Sequence, residues 1–121
     1  MSFLGVHHIS MIVADTEWAL VFYRDILGLQ VATDRPDLDF KGAWLIITNQ
    51  QQIHLLEVPN PDSPQRPQHG GRDRHVALQV SDLENLRQRL DANKIAYTIS
   101  KSGRKALFCR DFDANTLEFI E

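Results

Sequence analysis

The phrase HHISMIVAD (residues 7–15) returns as RHVALQVSD (residues 74–82), each with His second, Asp ninth and a β-rich run between. A chain of 121 residues is long enough for one ordinary core and not for two independent ones. A repeat on this scale therefore means two half-domains sharing one fold. The elements downstream of each phrase repeat as well. After the first, Asp15 reads as the N-cap of a helix over TEWALVFYRDILG, where Trp18, Ala19, Phe22, Tyr23 and Ile26 recur at helical spacing and Gly28 ends the run. LQVATD, AWLIITN (43–49) and QQIHLLEV (51–58) are then strands, the last two a hairpin. After the second phrase, Asp82 caps LENLRQRLDAN, with Leu83, Leu86 and Leu90 on one face, and IAYTIS (95–100), KALFCRD (105–111) and TLEFIE (116–121) are strands. The order is β-α-β-β-β twice. Between the halves stands PNPDSPQRPQHGGRD, with four of the five prolines, which reads as a linker. The expected organisation is a single α+β domain over 1–121, with module 1 at about 5–58, a linker at 59–73 and module 2 at about 74–121.

Charge narrows the class. Lys and Arg number 13 against 16 Asp and Glu, with no block of like charge, which argues against a nucleic-acid partner. MSFLGVHHIS has neither a basic leader nor an apolar run of signal length, and no stretch reaches the roughly 18 apolar residues of a membrane span. The expectation is a cytoplasmic protein with no membrane partner. The lone Cys109 has no second Cys to pair with and reads as a small apolar residue of a strand.

Strand parity separates the side chains that pack under the helices from those that face away. In the first strand Ile9, Met11 and Val13 share one face, leaving His8, Ser10 and Ile12 on the other. In the first strand of the second half Val76, Leu78 and Val80 share a face, leaving His75, Ala77 and Gln79. Ile53 and Leu55 oppose His54 and Leu56, as Leu117 and Phe119 oppose Glu118 and Ile120. Each half thus offers one polar group from its first strand and one from its last, at equivalent positions. A His in a strand is usually a hydrogen-bonded structural residue, but four polar groups related by pseudo-twofold symmetry describe a metal site. His8, His54, His75 and Glu118 are the expected ligands, and imidazoles with a carboxylate suit a divalent Zn, Ni, Co, Mn or Fe ion. By the same parity His7 points away from His8, and His69 lies in the linker, so neither is counted as a ligand.

HHISMIVADTEWALVFYRDILGL, RHVALQVSD and the closing RDFDANTLEFIE together resemble the vicinal oxygen chelate superfamily, which includes glyoxalase I. The resemblance covers nearly the whole chain. It implies a glyoxalase-like fold, two β-α-β-β-β modules forming a curled mixed sheet around a metal held by His8, His54, His75 and Glu118. Two departures stand out. The closing turn, usually Asp-Pro-Asp-Gly in the family, is Asp111, Phe112, Asp113 and Ala114 here, and the second ligand, usually Glu or Gln in bacterial glyoxalase I, is His54. Three neutral imidazoles and one carboxylate leave a divalent ion with a net charge of about +1, which favours an anionic oxygen pair. Glutathione-dependent members carry an Arg and an Asn where this chain has Ile12 and Val58, so the resemblance does not bring glutathione with it. Arg66, Arg72 and Arg74, in and beside the linker, could instead hold a substrate carboxylate or phosphate.

The resemblance implies a metal-dependent lyase or isomerase of glyoxalase I type. It would act through an enediolate on a small substrate with vicinal oxygens, with Glu118 as the base, in a homodimer as short members of the family commonly form. An Fe(II) dioxygenase needs only two His and one carboxylate, so His54 counts against it. A thiol transferase of the fosfomycin type finds some support in Ser10. A metal-free drug-binding module like the bleomycin-resistance proteins would not need the four polar groups together.

Overall fold

The structure, a computed structural model, describes all 121 residues, which fall into two compact units, Met1–Asn60 and Pro61–Glu121. In the first unit the alternating run at the N-terminus forms β1 (His8–Val13), followed by α1 (Thr16–Leu20) and three further strands, β2 (Gln30–Val31), β3 (Gly42–Thr48) and β4 (Gln51–Glu57). In the second, β5 (His75–Gln79) leads to α2 (Leu83–Ala92), β6 (Tyr97–Ile99), β7 (Ala106–Arg110) and β8 (Thr116–Ile120). The sheet orders are β1-β4-β3-β2 and β5-β8-β7-β6, and in each the first strand pairs in parallel with the last while the other pairings are antiparallel. Both units are therefore mixed four-stranded sheets of one topology. No helix is long and apolar enough to cross a membrane.

The cores follow the parity read from the sequence. Val13, Ile53 and Leu55 are buried in the first unit, and Leu78, Leu117 and Phe119 in the second, joined by Leu83, Leu86 and Leu90 from α2. Both helices begin as expected. Asp15 accepts from the Trp18 amide at 2.7 Å and Asp82 from the Asn85 amide at 2.9 Å, each satisfying a donor the first turn leaves unpaired. Glu57 reaches back from the end of β4 to accept from the Thr16 amide at 2.8 Å.

Three features depart from the reading of the sequence. The first helix is α-helical only to Leu20 and continues as a π turn over Val21–Ile26, closed by the Leu27 amide donating to the Phe22 carbonyl at 2.9 Å. The wider turn shifts the helical phase. Leu20 takes the inward place that regular spacing assigns to Trp18, which stays 57% exposed. Second, the Pro-rich segment is folded onto its own unit. A 3-10 turn at Gly70–Arg72 presses so closely on the sheet that a Cβ at Gly70 would lie 2.7 Å from Thr116 Cγ2 and 2.9 Å from Phe108 Cβ. Asp73 anchors it, accepting from Arg66 at 2.9 Å and Arg110 at 2.7 Å, while Arg110 also donates to the Pro67 carbonyl at 2.6 Å. Those hydrogen bonds, Arg66 foremost, hold the Asp73 carboxyl well below the usual carboxylate range. Third, Ala114 stands at φ +65° in the closing turn, the left-handed conformation the family's Gly adopts freely. Asp111 secures this turn by accepting from the amides of Asp113 and Asn115, both at 2.9 Å.

Candidate functional site

In the first unit the register aligns His8 with Gln52 and sets Ser10 and Trp44 opposite His54, so all five side chains leave the same face of the sheet. His54 is sandwiched. Its ring stacks on Trp44 at 4.3 Å and on His8 at 4.0 Å, with interplanar angles of 8° and 14°. Burial, then positive charge at His8, His7 and Arg35, lowers the His54 pKa to about 4, so the ring is neutral at physiological pH and keeps a lone pair for a metal. Its Nε2 meets the Gln52 amide oxygen at 2.8 Å, and because that oxygen only accepts, the ring proton sits on Nε2. His7 lies one residue ahead of β1, and its Nδ1 is 2.9 Å from His8 Nδ1. Parity therefore does not turn it away from His8, since the alternation has not yet begun there.

In the second unit β5 and β8 run side by side in parallel, with Ala77 opposite Glu118 and His75 opposite Thr116. Glu118 is only 3% exposed, yet it is a carboxylate in the middle of a sheet. Its two oxygens are partnered separately, Oε1 by Arg104 Nη2 at 3.3 Å and Oε2 by His75 Nε2 at 3.2 Å. The other side of the His75 ring is also committed, since Nδ1 lies 2.8 Å from the Asp73 carbonyl, which can only accept. Nδ1 thus carries the proton of the neutral imidazole. The Nε2 lone pair then faces a carboxylate oxygen, an arrangement that calls for a second proton or a cation between them. These two groups and Arg104 border a cavity of about 710 Å³ within this unit.

The sequence-derived ligands thus occur as two pairs, His8 with His54 and His75 with Glu118, each on one face of one sheet. In neither unit are three or more His, Cys, Asp or Glu side chains arranged so that they alone could hold a metal ion. The donor chemistry fits a divalent ion, since His54 is neutral and His75 is oriented through Nδ1, as metal-bound imidazoles commonly are. His69 has a structural role, accepting from the Gly71 amide at 3.0 Å. Of the linker arginines, Arg66 is taken up by Asp73 and Arg74 by Asp62, while Arg72 lines the cavity. Cys109 is buried, and that burial pushes its thiol up to about 12, which leaves it unreactive. The reading of the sequence missed Gln52, Lys101 and Arg104. Gln52 shares the parity of His54 and could have been found by it, whereas residues 101–104 fall between two expected strands, where no periodicity marks a side chain.

The profile of the Glyoxalase/Bleomycin resistance protein/Dioxygenase superfamily matches residues 5–119. The chain belongs to this superfamily. Uncharacterized protein YaeR of Escherichia coli K12 is 31% identical to it over 123 residues, which is 96% of this chain and 95% of that protein. Glyoxylase I 4 of Arabidopsis thaliana is 29% identical over 95 residues, covering 77% of this chain and 53% of its own, so the chain spans about half the length of that relative. Among solved structures, the fosfomycin resistance protein FosX of Listeria monocytogenes aligns over 98% of this chain and 92% of its own, with a TM-score of 0.75 at 20% identity. That likeness shows the α+β glyoxalase-like fold. FosX was solved with Mn(II) and 1S,2S-dihydroxypropylphosphonic acid, and members of the superfamily often use divalent metals.

Proposed function

We propose that this member of the superfamily is a divalent-metal-dependent enzyme of glyoxalase I type, acting in the cytoplasm as a homodimer on a small substrate with two adjacent oxygens. His8, His54, His75 and Glu118 would hold the ion. The observation that carries the reading is the 3.2 Å approach of His75 Nε2 to Glu118 Oε2 with the ring proton already engaged at the Asp73 carbonyl. That separation matches two donors sharing one first-row ion at bond lengths of about 2.0–2.2 Å. A divalent ion supplies Lewis-acid stabilisation of the negative charge that develops on the substrate oxygens. The chain's own residues do the rest. Glu118 takes the proton from a carbon that bears one of those oxygens and returns it to the neighbouring carbon, and its 3% exposure keeps water from competing. The Asp73 carbonyl holds the His75 tautomer, and the Trp44–His54–His8 stack holds the two imidazoles parallel, with His54 neutral.

Metal content after exchange against Zn, Ni, Co or Mn tests this directly. The expected result is about one equivalent per chain, lost in His8→Ala and His75→Ala and kept in His69→Ala. Equal content in all of these variants would overturn the ligand set. Glu118→Gln retains metal, because its amide oxygen still coordinates, and loses most turnover. Undiminished turnover there removes Glu118 as the base. A chain that takes up none of these metals belongs instead with the drug-binding members of the superfamily.

A further inference from the structure

The second unit contains four arginines whose charge is already spent within the fold. Arg66 and Arg110 serve Asp73, Arg74 serves Asp62, and Arg87 serves Glu84 and Asp91. Around the cavity that holds Glu118 the balance is different. Arg72 and Lys101 line it with no carboxylate partner, and Arg104 has only Glu118, shared with His75. Three permanent cations thus face one carboxylate, an excess of positive charge in a concave space of about 710 Å³.

The wall carrying Lys101 and Arg104 is organised by hydroxyls. Ser100 Oγ lies 2.8 Å from Ser102 Oγ and accepts from the Ser102 amide at 3.2 Å, while Ser102 Oγ accepts from Arg104 Nε at 3.1 Å. Gly103, at φ +84°, turns the chain so that Arg104 leans back towards Glu118. Arg72 ends the 3-10 turn whose first residue, Gly70, sits tightly against Phe108 and Thr116.

We propose that this cavity is an anion-binding subsite, in which Arg72, Lys101 and Arg104, with the hydroxyls of Ser100 and Ser102, hold a terminal carboxylate or phosphoryl group of the substrate. A guanidinium offers a planar fork of donors and an ammonium a compact charge, so their combination suits a group presenting several oxygens. Arg104 exchanges its 3.3 Å contact with Glu118 for the ligand, which frees one carboxylate oxygen at the moment the substrate docks. This inference names the substrate class for the function proposed above, as a small acid rather than a neutral carbonyl compound. Its anion contacts do not require metal, because Arg72, Lys101, Arg104, Ser100 and Ser102 are not among the candidate ligands.

The test uses the chelator-treated protein, so that its outcome is independent of metal content. Inorganic phosphate and acetate are titrated separately and followed by amide NMR shifts of residues 100–104 and by calorimetry. Saturable shifts confined to those residues and Arg72, with Kd on the order of 1 mM, are expected for phosphate, for acetate or for both, and the tighter of the two assigns the phosphoryl or carboxylate class. Arg72→Ala and Lys101→Ala each weaken binding about tenfold, Arg74→Ala leaves it unchanged, and Glu118→Gln, which removes the competitor for Arg104, strengthens it. Shifts that do not saturate with either anion, or an affinity that Arg72→Ala and Lys101→Ala leave intact, overturn the proposal.

Discussion

His54 shows how a single ring is prepared by its surroundings. It is 9% exposed between two other rings, and its pKa falls from 6.5 to about 4 through burial and neighbouring positive charge. The sign of the consequence is fixed by linkage. A depressed value means that the unfolded chain binds the proton first, so the stability contributed by the neutral ring is complete above pH 6.5 and is lost as the pH falls towards 4. In the presence of chelator, urea unfolding should show stability dropping across that window at up to about 1.4 kcal/mol per pH unit, and His54→Asn should flatten the drop. A pH-independent midpoint would mean that His54 titrates alike in both states.

Among the elements, the 3-10 turn at Gly70–Arg72 does most to place the second pair of candidate ligands, because Asp73 comes directly after it and holds the His75 ring. Gly70→Ala puts a methyl group 2.7 Å from Thr116 Cγ2 and should cost about 1–3 kcal/mol by overpacking. Chemical denaturation measures the loss, and unchanged stability would show that the turn can lift away from the sheet. The strands were legible in the sequence because a period of two reports directly on which face is buried, and His54, His75 and Glu118 lie on the face that parity assigns. What was not legible depended on events outside that period. The π turn shifts the phase, so that Leu20 replaces Trp18 inside, and His7 precedes the strand whose alternation was used to judge it. The roles of Arg66, Arg74 and Arg104 rest on which carboxylate each side chain finds, and composition does not encode that.

For the whole molecule, the proposed homodimer allows the first half of one chain to pair with the second half of its twofold mate, since closed twofold symmetry is the commonest assembly and two open sheets leave edges to cover. His8 and His54 would then come from one subunit and His75 and Glu118 from the other. Complementation tests the exchange. A His8→Ala, His54→Ala chain is refolded together with a His75→Ala, Glu118→Ala chain, and mixed dimers should regain one intact metal site of the two. No recovery would mean that each site is built within a single chain. The sheet orders bear on time as well as on architecture. In each half the strand that pairs with β1 or β5 is the last to appear in the chain, and it is an inner strand with neighbours on both sides. Neither sheet can grow outward from its first strand. Until β4 or β8 arrives, the opening strand has no partner, and the loop to be closed spans nearly the whole half. Such distant pairing places refolding in the range of about milliseconds to seconds, and it leaves the segments that carry His8 and His75 the last of the candidate ligands to find their neighbours.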